Sequence, residues 1–255
     1  MQRPDPGADL DAAQKSAADR GLKSLVPIGG RPFLDYALSR LADVGIRDVG
    51  LVVGPSTRAI RERYEATPPE RVRLTFARQP EPLGSADAVL AAERFAGGEE
   101  FLVMNSDDLY PDSSLRGLLA LGRPGLPVFE RSALLANGNL SAERVAGFAV
   151  LRVGSDGFLE RIVEKGSSGG AGDASGETLL SMNLWRFPRE IFEACRRVPE
   201  SARGERELPQ AVAFGIANGT LRLATFRCSD PVLDLTTRRD VAAVAKRLRG
   251  VEARP

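Results

Sequence analysis

The stretch FLVMNSDDLYPDSSL closes an apolar run with two carboxylates, Asp107 and Asp108. A short buried strand ending this way delivers its acids to the carboxyl edge of a sheet, where open α/β folds place their ligands. A further acid, Asp234, stands in CSDPVLDLTTRRDV, between a short apolar stretch and a Thr-rich helix start. Brought together, Asp107 and Asp234 would hold one Mg²⁺ bridging nucleotide phosphates, because that ion takes one or two carboxylates plus phosphate oxygens. Each also has a plainer reading, an acidic turn before a helix at Ser113 for the first and a helix cap for the second. In QPEPLGSADAV, Gln79 follows a strand and offers an amide that can read a base edge, while Gly84 lets a ring approach the backbone. Glu164 and Lys165 end another strand and present an acid and an ammonium to a hydroxyl-bearing phosphate. A turn or a solvated charge is the alternative for each of these.

Composition narrows the chemistry. The chain has no histidine, which removes Ser-His-Asp and Cys-His nucleophile systems, histidine metal sites and imidazole acid/base catalysis. What remains must run on carboxylates, lysines, backbone amides or a bound metal. The formal net charge of +1 provides no global field for nucleic acid or an anionic membrane, so a polyanion has to be held by a local cluster. Cys195 and Cys228 lie far apart and outside any C-x-x-C spacing, and read as buried thiols of a reducing compartment. The longest apolar runs are too short to cross a bilayer and MQRPDPGADLD is not signal-like, so the expectation is a cytoplasmic protein with no membrane partner.

The elements that must position these residues follow from periodicity. Gly29-Gly30 precedes an amphipathic helix carrying Phe33, Tyr36, Ala37, Leu41 and Val44, with Gly45 as its stop. DVGLVVGP, the polar helix from Ser56 to about Ala66 and the strand RVRLTFA then give β-α-β in order. A helix from Ser85 to about Phe95, the strand FLVMN and the helix SSLRGLLALG continue the alternation, which implies a largely parallel sheet covered by helices on both faces. In the second half a hairpin turns at GSDG, the strand TLLSMNLWRF follows the Gly/Ser-rich run 166–177, and helices near Arg189 to Arg196, Leu208 to Asn218 and Thr236 to Leu248 bracket the strand LRLATFRC. That Gly/Ser-rich run reads as a surface excursion or a lid. The stretch from Asp9 to Arg20 is alanine-rich and compatible with a helix.

The order of the pieces resembles one family. LKSLVPIGGRPFLDYAL, LVVG, QPEPLGSADAV, NSDDLY, Gly147, Glu164-Lys165, SMNLWRF and LDLTTRRDV, over roughly residues 21 to 248, are similar to the sugar-1-phosphate nucleotidyltransferases. The resemblance implies an α/β fold, a three-layer α/β/α sandwich around a mixed, mostly parallel sheet. It implies that residues 21–250 form a single nucleotidyltransferase-like domain, with a nucleotide half of about 21–125 and an acceptor half of about 126–250, preceded by an atypical segment 1–20. It assigns Lys23 to the nucleotide phosphates, Gln79 and Gly84 to the base-reading loop, and Asp107 and Asp234 to Mg²⁺. Gly147, Glu164, Lys165 and Asn183 would line the sugar-phosphate half, with Lys165 on the acceptor phosphate. The implied partners are a nucleoside triphosphate and a small phosphorylated acceptor, in a homo-oligomer.

One stretch departs from the family. Relatives begin with a hydrophobic strand and a loop of the form L-A-A-G-x-G-[ST]-R, whose glycines expose backbone N–H groups to the triphosphate. Aligned on Lys23, this chain has DAAQKSAA, with Gln14 and Ser16 in the glycine places and Ala18 in the arginine place, after a poor first strand. Three expectations stand beside one another: a transferase in which Lys15 or Arg20 partly replaces the missing arginine, a module that binds a sugar nucleotide or regulates a partner, and a glycosyltransferase of the related fold. The last would use a D-x-D motif, whereas Asp107-Asp108 has no spacer.

Overall fold

A computed structural model describes residues 1, 5, 7–163 and 177–255. Glu164, Lys165 and the Gly/Ser-rich run up to Gly176 lie outside the described residues.

The chain opens with α1 (Ala12–Asp19), capped by Asp11, whose side chain accepts from Gln14 N while the Gln14 side chain accepts from Asp11 N. This reciprocal capping satisfies two of the helix's orphan donors and makes the alanine-rich stretch helical. A 3₁₀ turn (Lys23–Leu25), the two-residue strands β1 (Pro27–Ile28) and β2 (Arg31–Pro32), and α2 (Phe33–Asp43) follow. β3 (Asp48–Val53), α3 (Arg58–Ala66) and β4 (Arg73–Arg78) form the expected β-α-β unit, β3 and β4 pairing in parallel over six residues. Then come α4 (Ser85–Ala91), α5 (Glu93–Ala96), β5 (Phe101–Val103), β6 (Asp108–Leu109) and α6 (Asp112–Ala120). The remainder is β7 (Gly125–Glu130), α7 (Arg131–Asn137), α8 (Ala142–Val145), β8 (Val150–Val153), β9 (Leu159–Val163), β10 (Leu179–Leu180), β11 (Trp185–Phe187), α9 (Ile191–Arg197), α10 (Leu208–Ala217), β12 (Ala224–Cys228), β13 (Leu233–Asp234) and α11 (Asp240–Arg247).

Alternate residues of the main sheet enter different cores. Leu126 and Val128 of β7, Leu151 of β8 and Leu179 of β10 pack with α4, α9 and α10, whereas Phe129, Val150 and Leu180 pack with α6 and α7. Both faces of the sheet are therefore covered, which is the three-layer arrangement. The expectation of a mostly parallel sheet is corrected. Among the described residues only β3–β4 and β7–β12 pair in parallel, while β5–β11, β7–β10, β7–β11, β8–β10, β8–β9, β1–β2 and β6–β13 are antiparallel. Hairpins and returning strands of the second half enter the same sheet, so helical crossovers join fewer of the neighbours than the alternation suggests.

The hub of the sheet is β7, a strand that the Pro in GLPVFE conceals, since proline removes a ladder donor. β12 runs along one edge of β7, and β11 and β10 share the other. The shared edge pairs at Gly125 and again at Phe129 and Glu130, and is interrupted opposite Pro127. The expected single strand TLLSMNLWRF is accordingly two strands, and 181–184 bulges out of the ladder with Asn183 in the left-handed region at φ 55°. Asparagine tolerates that conformation better than most residues. The two cysteines are free and buried, and burial pushes the Cys195 thiol up to about 12, so both are packing residues as expected.

Candidate active site

Two short strands assemble the acidic centre. β6 and β13 pair antiparallel with Leu233 opposite Leu109 and Asp234 opposite Asp108, and Leu235 N donates to the Asp107 carbonyl at 2.8 Å. This register carries Asp234 across more than a hundred residues of sequence to lie beside Asp107 and Asp108. The 3₁₀ turn docks from the other side: Ser24 Oγ meets Ser106 Oγ at 3.0 Å, and Lys23 Nζ donates to Asp107 Oδ2 at 2.7 Å and to Thr236 Oγ1 at 3.5 Å. Lys23, Asp107 and Asp234, named separately in the sequence, are thus neighbours. Asp234 is not a helix cap. It is buried in β13, and Asp240 instead accepts from Thr236 N and Thr237 N at 3.1 and 2.6 Å.

Residues without a sequence signal complete the centre. Asn139 holds the Asp234 backbone twice, donating to its carbonyl at 2.6 Å and accepting from its N–H at 2.9 Å. Arg144, on the four-residue α8, forks between Asp234 Oδ1 and Asp240 Oδ2, the second contact at 2.9 Å. Tyr110 donates its hydroxyl to the Met182 carbonyl at 2.5 Å and stands 3.3 Å from Asp108 Oδ2, which Asn105 Nδ2 also reaches at 2.9 Å. The interrupted strand carrying Asn183 is thereby tied to the acidic centre. Arg144 and Asn139 sit in irregular sequence, and only the β6–β13 register reveals their target.

Burial raises the Asp234 carboxyl above its ordinary value, against the pull of the Arg144 guanidinium. Asp108 is pushed up further, first by complete burial and then by the charges of Asp107 and Asp234, and its Oδ1 has no hydrogen-bond partner. Folded protein therefore holds the Asp108 proton more tightly than unfolded chain does. The stability this contributes is complete below the unfolded carboxylate value of about 3.9 and is lost as pH rises through the raised folded value. Asp108→Asn should accordingly remove a fall in unfolding temperature that sets in as pH rises above about 4 in metal-free protein. A variant with an unchanged slope would remove Asp108 as its source.

Half-buried Asp107 and buried Asp108 and Asp234 lie within mutual electrostatic reach. Among the described residues no group of three or more side chains is arranged as a ready metal cage. Mg²⁺ at nucleotide sites takes few protein ligands, with water and phosphate oxygens supplying the rest, so two carboxylates fit it. Asp107 and Asp234 are each engaged by an internal cation, Lys23 and Arg144.

The other expected residues fall elsewhere. Gln79 and Gly84 share one loop, where Gln79 Nε2 donates to the Gly84 carbonyl at 3.0 Å and to Asp87 Oδ2 at 2.9 Å. Gly84 has φ 107°, and a Cβ there would run into the Arg206 backbone, its N lying at 2.8 Å. The space above Gly84 that the sequence assigned to a ring is filled by residue 206. Gly84→Ala should cost at least about 2 kcal/mol through strain and backbone collision, lowering the unfolding temperature by roughly 4–8 °C; an unchanged value would contradict this packing. Gly147 is exposed in the turn after α8, donating to the Arg144 carbonyl at 2.8 Å, three residues from the arginine that holds Asp234. Asn183 has a buried Oδ1 without a partner.

The segment aligned with the phosphate loop is not a loop. Gln14 and Ser16 lie inside α1, Gln14 Nε2 donates to the Pro27 carbonyl at 3.0 Å, and Ala18 is fully buried. Lys15 and Arg20 are exposed, and no described contact joins either to Asp107 or Asp234.

The α/β sandwich brings a lysine and two aspartates together where β6 and β13 pair. The chain belongs to the nucleotidyl transferase family, whose model matches residues 18–230. It is 30% identical over 197 residues, 77% of this chain and 52% of the relative, to a glucose-1-phosphate thymidylyltransferase of Streptomyces antibioticus. It is 26% identical over 234 residues, 81% of this chain and 77% of the relative, to a UTP–glucose-1-phosphate uridylyltransferase of Streptococcus pneumoniae. Several curated relatives are longer, and the chain spans about half of their length. A UDP-glucose pyrophosphorylase complexed with UDP-glucose shares the fold with a TM-score of 0.71 at 18% identity, covering 90% of this chain and 91% of that one. No described helix is long and apolar enough to cross a membrane.

Proposed function

We propose that this protein moves a nucleoside monophosphate from a nucleoside triphosphate to a small phosphorylated acceptor, a sugar 1-phosphate, releasing pyrophosphate. The single observation carrying this reading is the meeting of Lys23, Asp107 and Asp234 across the β6–β13 pair. The names of the thymidylyl- and uridylyltransferase relatives support the acceptor class. Asp107 and Asp234 would hold Mg²⁺, which neutralises phosphate charge when bound. Lys23, 2.7 Å from Asp107, would support the nucleotide phosphates. The acceptor's phosphate is mostly ionised at neutral pH, its second pKa being about 6, so a chain without histidine needs no imidazole base. Gln79 serves the base side, and Gly147, Glu164, Lys165 and Asn183 the acceptor side, with Lys165 on its phosphate.

A second reading has its own observation. The stretch aligned on Lys23 with the family's phosphate loop is helix α1, which favours a domain that binds a sugar nucleotide or regulates a partner without turnover. Pyrophosphate release separates the two, assayed with ATP, CTP, GTP, UTP and dTTP against glucose 1-phosphate and Mg²⁺. Release above a chelator control with one triphosphate supports transfer, and none with any pair of tight-binding ligands supports the second reading.

A further inference from the structure

Arg144 is a cation of the acidic centre that no sequence pattern marks. Its backbone on α8 is fixed by the Ser141 hydroxyl, which accepts from Arg144 N at 3.3 Å, and by the burial of Val145 beside it. From there the guanidinium reaches two carboxylates, Nη2 donating to Asp234 Oδ1 and Nη1 to Asp240 Oδ2, the latter at 2.9 Å. Asp240 Oδ2 also accepts from Thr236 N and Thr237 N, so that carboxylate already meets two backbone donors of its own turn. A guanidinium carries five N–H groups. Among the described residues two acceptors meet that of Arg144, so three donors remain, on a side chain that is 23% exposed and open to a solute.

A purely structural arginine would be a poor neighbour for a metal. Its positive charge on Asp234 opposes a divalent cation at the same carboxylate. That opposition is offset when the guanidinium binds the anion that accompanies the ion, and its planar fork matches two phosphate oxygens in a way that an ammonium does not. Other nearby cations are taken up: Arg238 pairs with Asp19 and donates to the Met1 carbonyl at 2.9 Å, and Arg239 pairs with Asp5 at 2.6 Å. Lys15 and Arg20, to which the sequence gave the role of a replacement cation, are exposed and have no described contact with Asp107 or Asp234. The turn after α8 hangs on the same arginine, Gly147 N donating to the Arg144 carbonyl at 2.8 Å. Arg144 therefore stands between Asp234 and a residue of the proposed acceptor side.

We propose that Arg144 is a phosphate-binding residue of this site, anchored to Asp240 through Nη1 and donating its remaining N–H groups to a phosphate of the substrate beside Asp107 and Asp234. The inference rests on the transfer reading above and adds to it a side chain that meets the substrate. Asp240 is then a positioning residue, acting through the arginine and through the Thr236–Thr237 turn that it holds. The phosphate belongs to the triphosphate or to the acceptor, and each has its own probe.

The test compares the purified chain with its Arg144→Lys variant, which keeps the positive charge and loses the fork. Mg²⁺ alone is followed by the shift it causes in unfolding temperature, and inorganic pyrophosphate and glucose 1-phosphate are then titrated calorimetrically with Mg²⁺ present. The expected result is an Mg²⁺ shift at least as large as that of the unaltered protein, together with affinity for one probe or both weakened by about tenfold or more. Weaker pyrophosphate binding assigns the arginine to the triphosphate, and weaker glucose 1-phosphate binding to the acceptor. Unchanged or tighter binding of both probes overturns the proposal and leaves Arg144 a competitor for Asp234. Loss of the Mg²⁺ shift together with probe affinity overturns it too, leaving the arginine a support of the fold. Asp107→Asn, measured alongside, separates the proposal from the reading beneath it. Where the unaltered protein binds a probe that Asp107→Asn releases, failure at Arg144 is failure of the proposal alone, whereas an unaltered protein that binds neither probe with Mg²⁺ fails both.

Discussion

Asp107→Asn is expected to lower Mg²⁺-dependent pyrophosphate release by roughly 10³-fold, because a metal neutralising transferred phosphate contributes several kcal/mol and each 1.36 kcal/mol is tenfold. The substitution keeps the side chain's shape and the backbone acceptor of Leu235 N, so the β6–β13 pair should survive. It removes the negative oxygen that Lys23 meets at 2.7 Å. Lys23 would then be free to engage phosphate, and triphosphate binding without metal should weaken far less than turnover. Steady-state kinetics with a parallel binding measurement checks this, and a variant with normal turnover would exclude Asp107 from the chemistry.

The second large effect concerns stability. Arg144 faces two carboxylates whose side chains are only 8% and 10% exposed, Asp234 and Asp240. Arg144→Ala leaves both without their guanidinium. Breaking a buried ion pair by removing one partner costs 3–5 kcal/mol, and because Arg144 itself is partly open to water the low end applies, about 3 kcal/mol. For a chain of this size that lowers the unfolding temperature by roughly 6–12 °C. Mg²⁺ should restore part of the loss and should shift the variant's unfolding temperature more than the unaltered protein's, because the arginine no longer competes for Asp234. An equal Mg²⁺ shift in both would mean that the ion does not bind at Asp234.

What the sequence disclosed and what it concealed divide along physical lines. α2, β3, α3 and β4 were legible because each carries its own periodicity and its own stop, Gly45 and Gly54-Pro55 among them. Asp107 and Asp234 could be picked out because each ends an apolar run, but their meeting depends on a two-residue antiparallel register that no local pattern encodes. Arg144 and Asn139 were invisible for the same reason, lying in short irregular sequence and acting only on a distant strand. β7 was hidden by Pro127, and the break it faces turned one expected strand into two around Asn183. Gly84 was recognised as a glycine of consequence, although the backbone it admits belongs to Arg206. The stretch from Asp9 to Arg20 was legible as compatible with a helix through its alanine content, whereas the reciprocal Asp11–Gln14 capping was read only from the structure.

The account's central claim is that Asp107 and Asp234 hold a metal-bound nucleoside triphosphate beside Lys23 although the stretch aligned with the phosphate loop is helical. Calorimetric titration of each nucleoside triphosphate into the purified protein, with Mg²⁺ and then with chelator, tests it most directly. The account predicts that one triphosphate binds with Mg²⁺ and loses its affinity with chelator, and that Asp107→Asn abolishes the difference. Absence of binding by every triphosphate under both conditions would contradict it, placing the triphosphate outside this site.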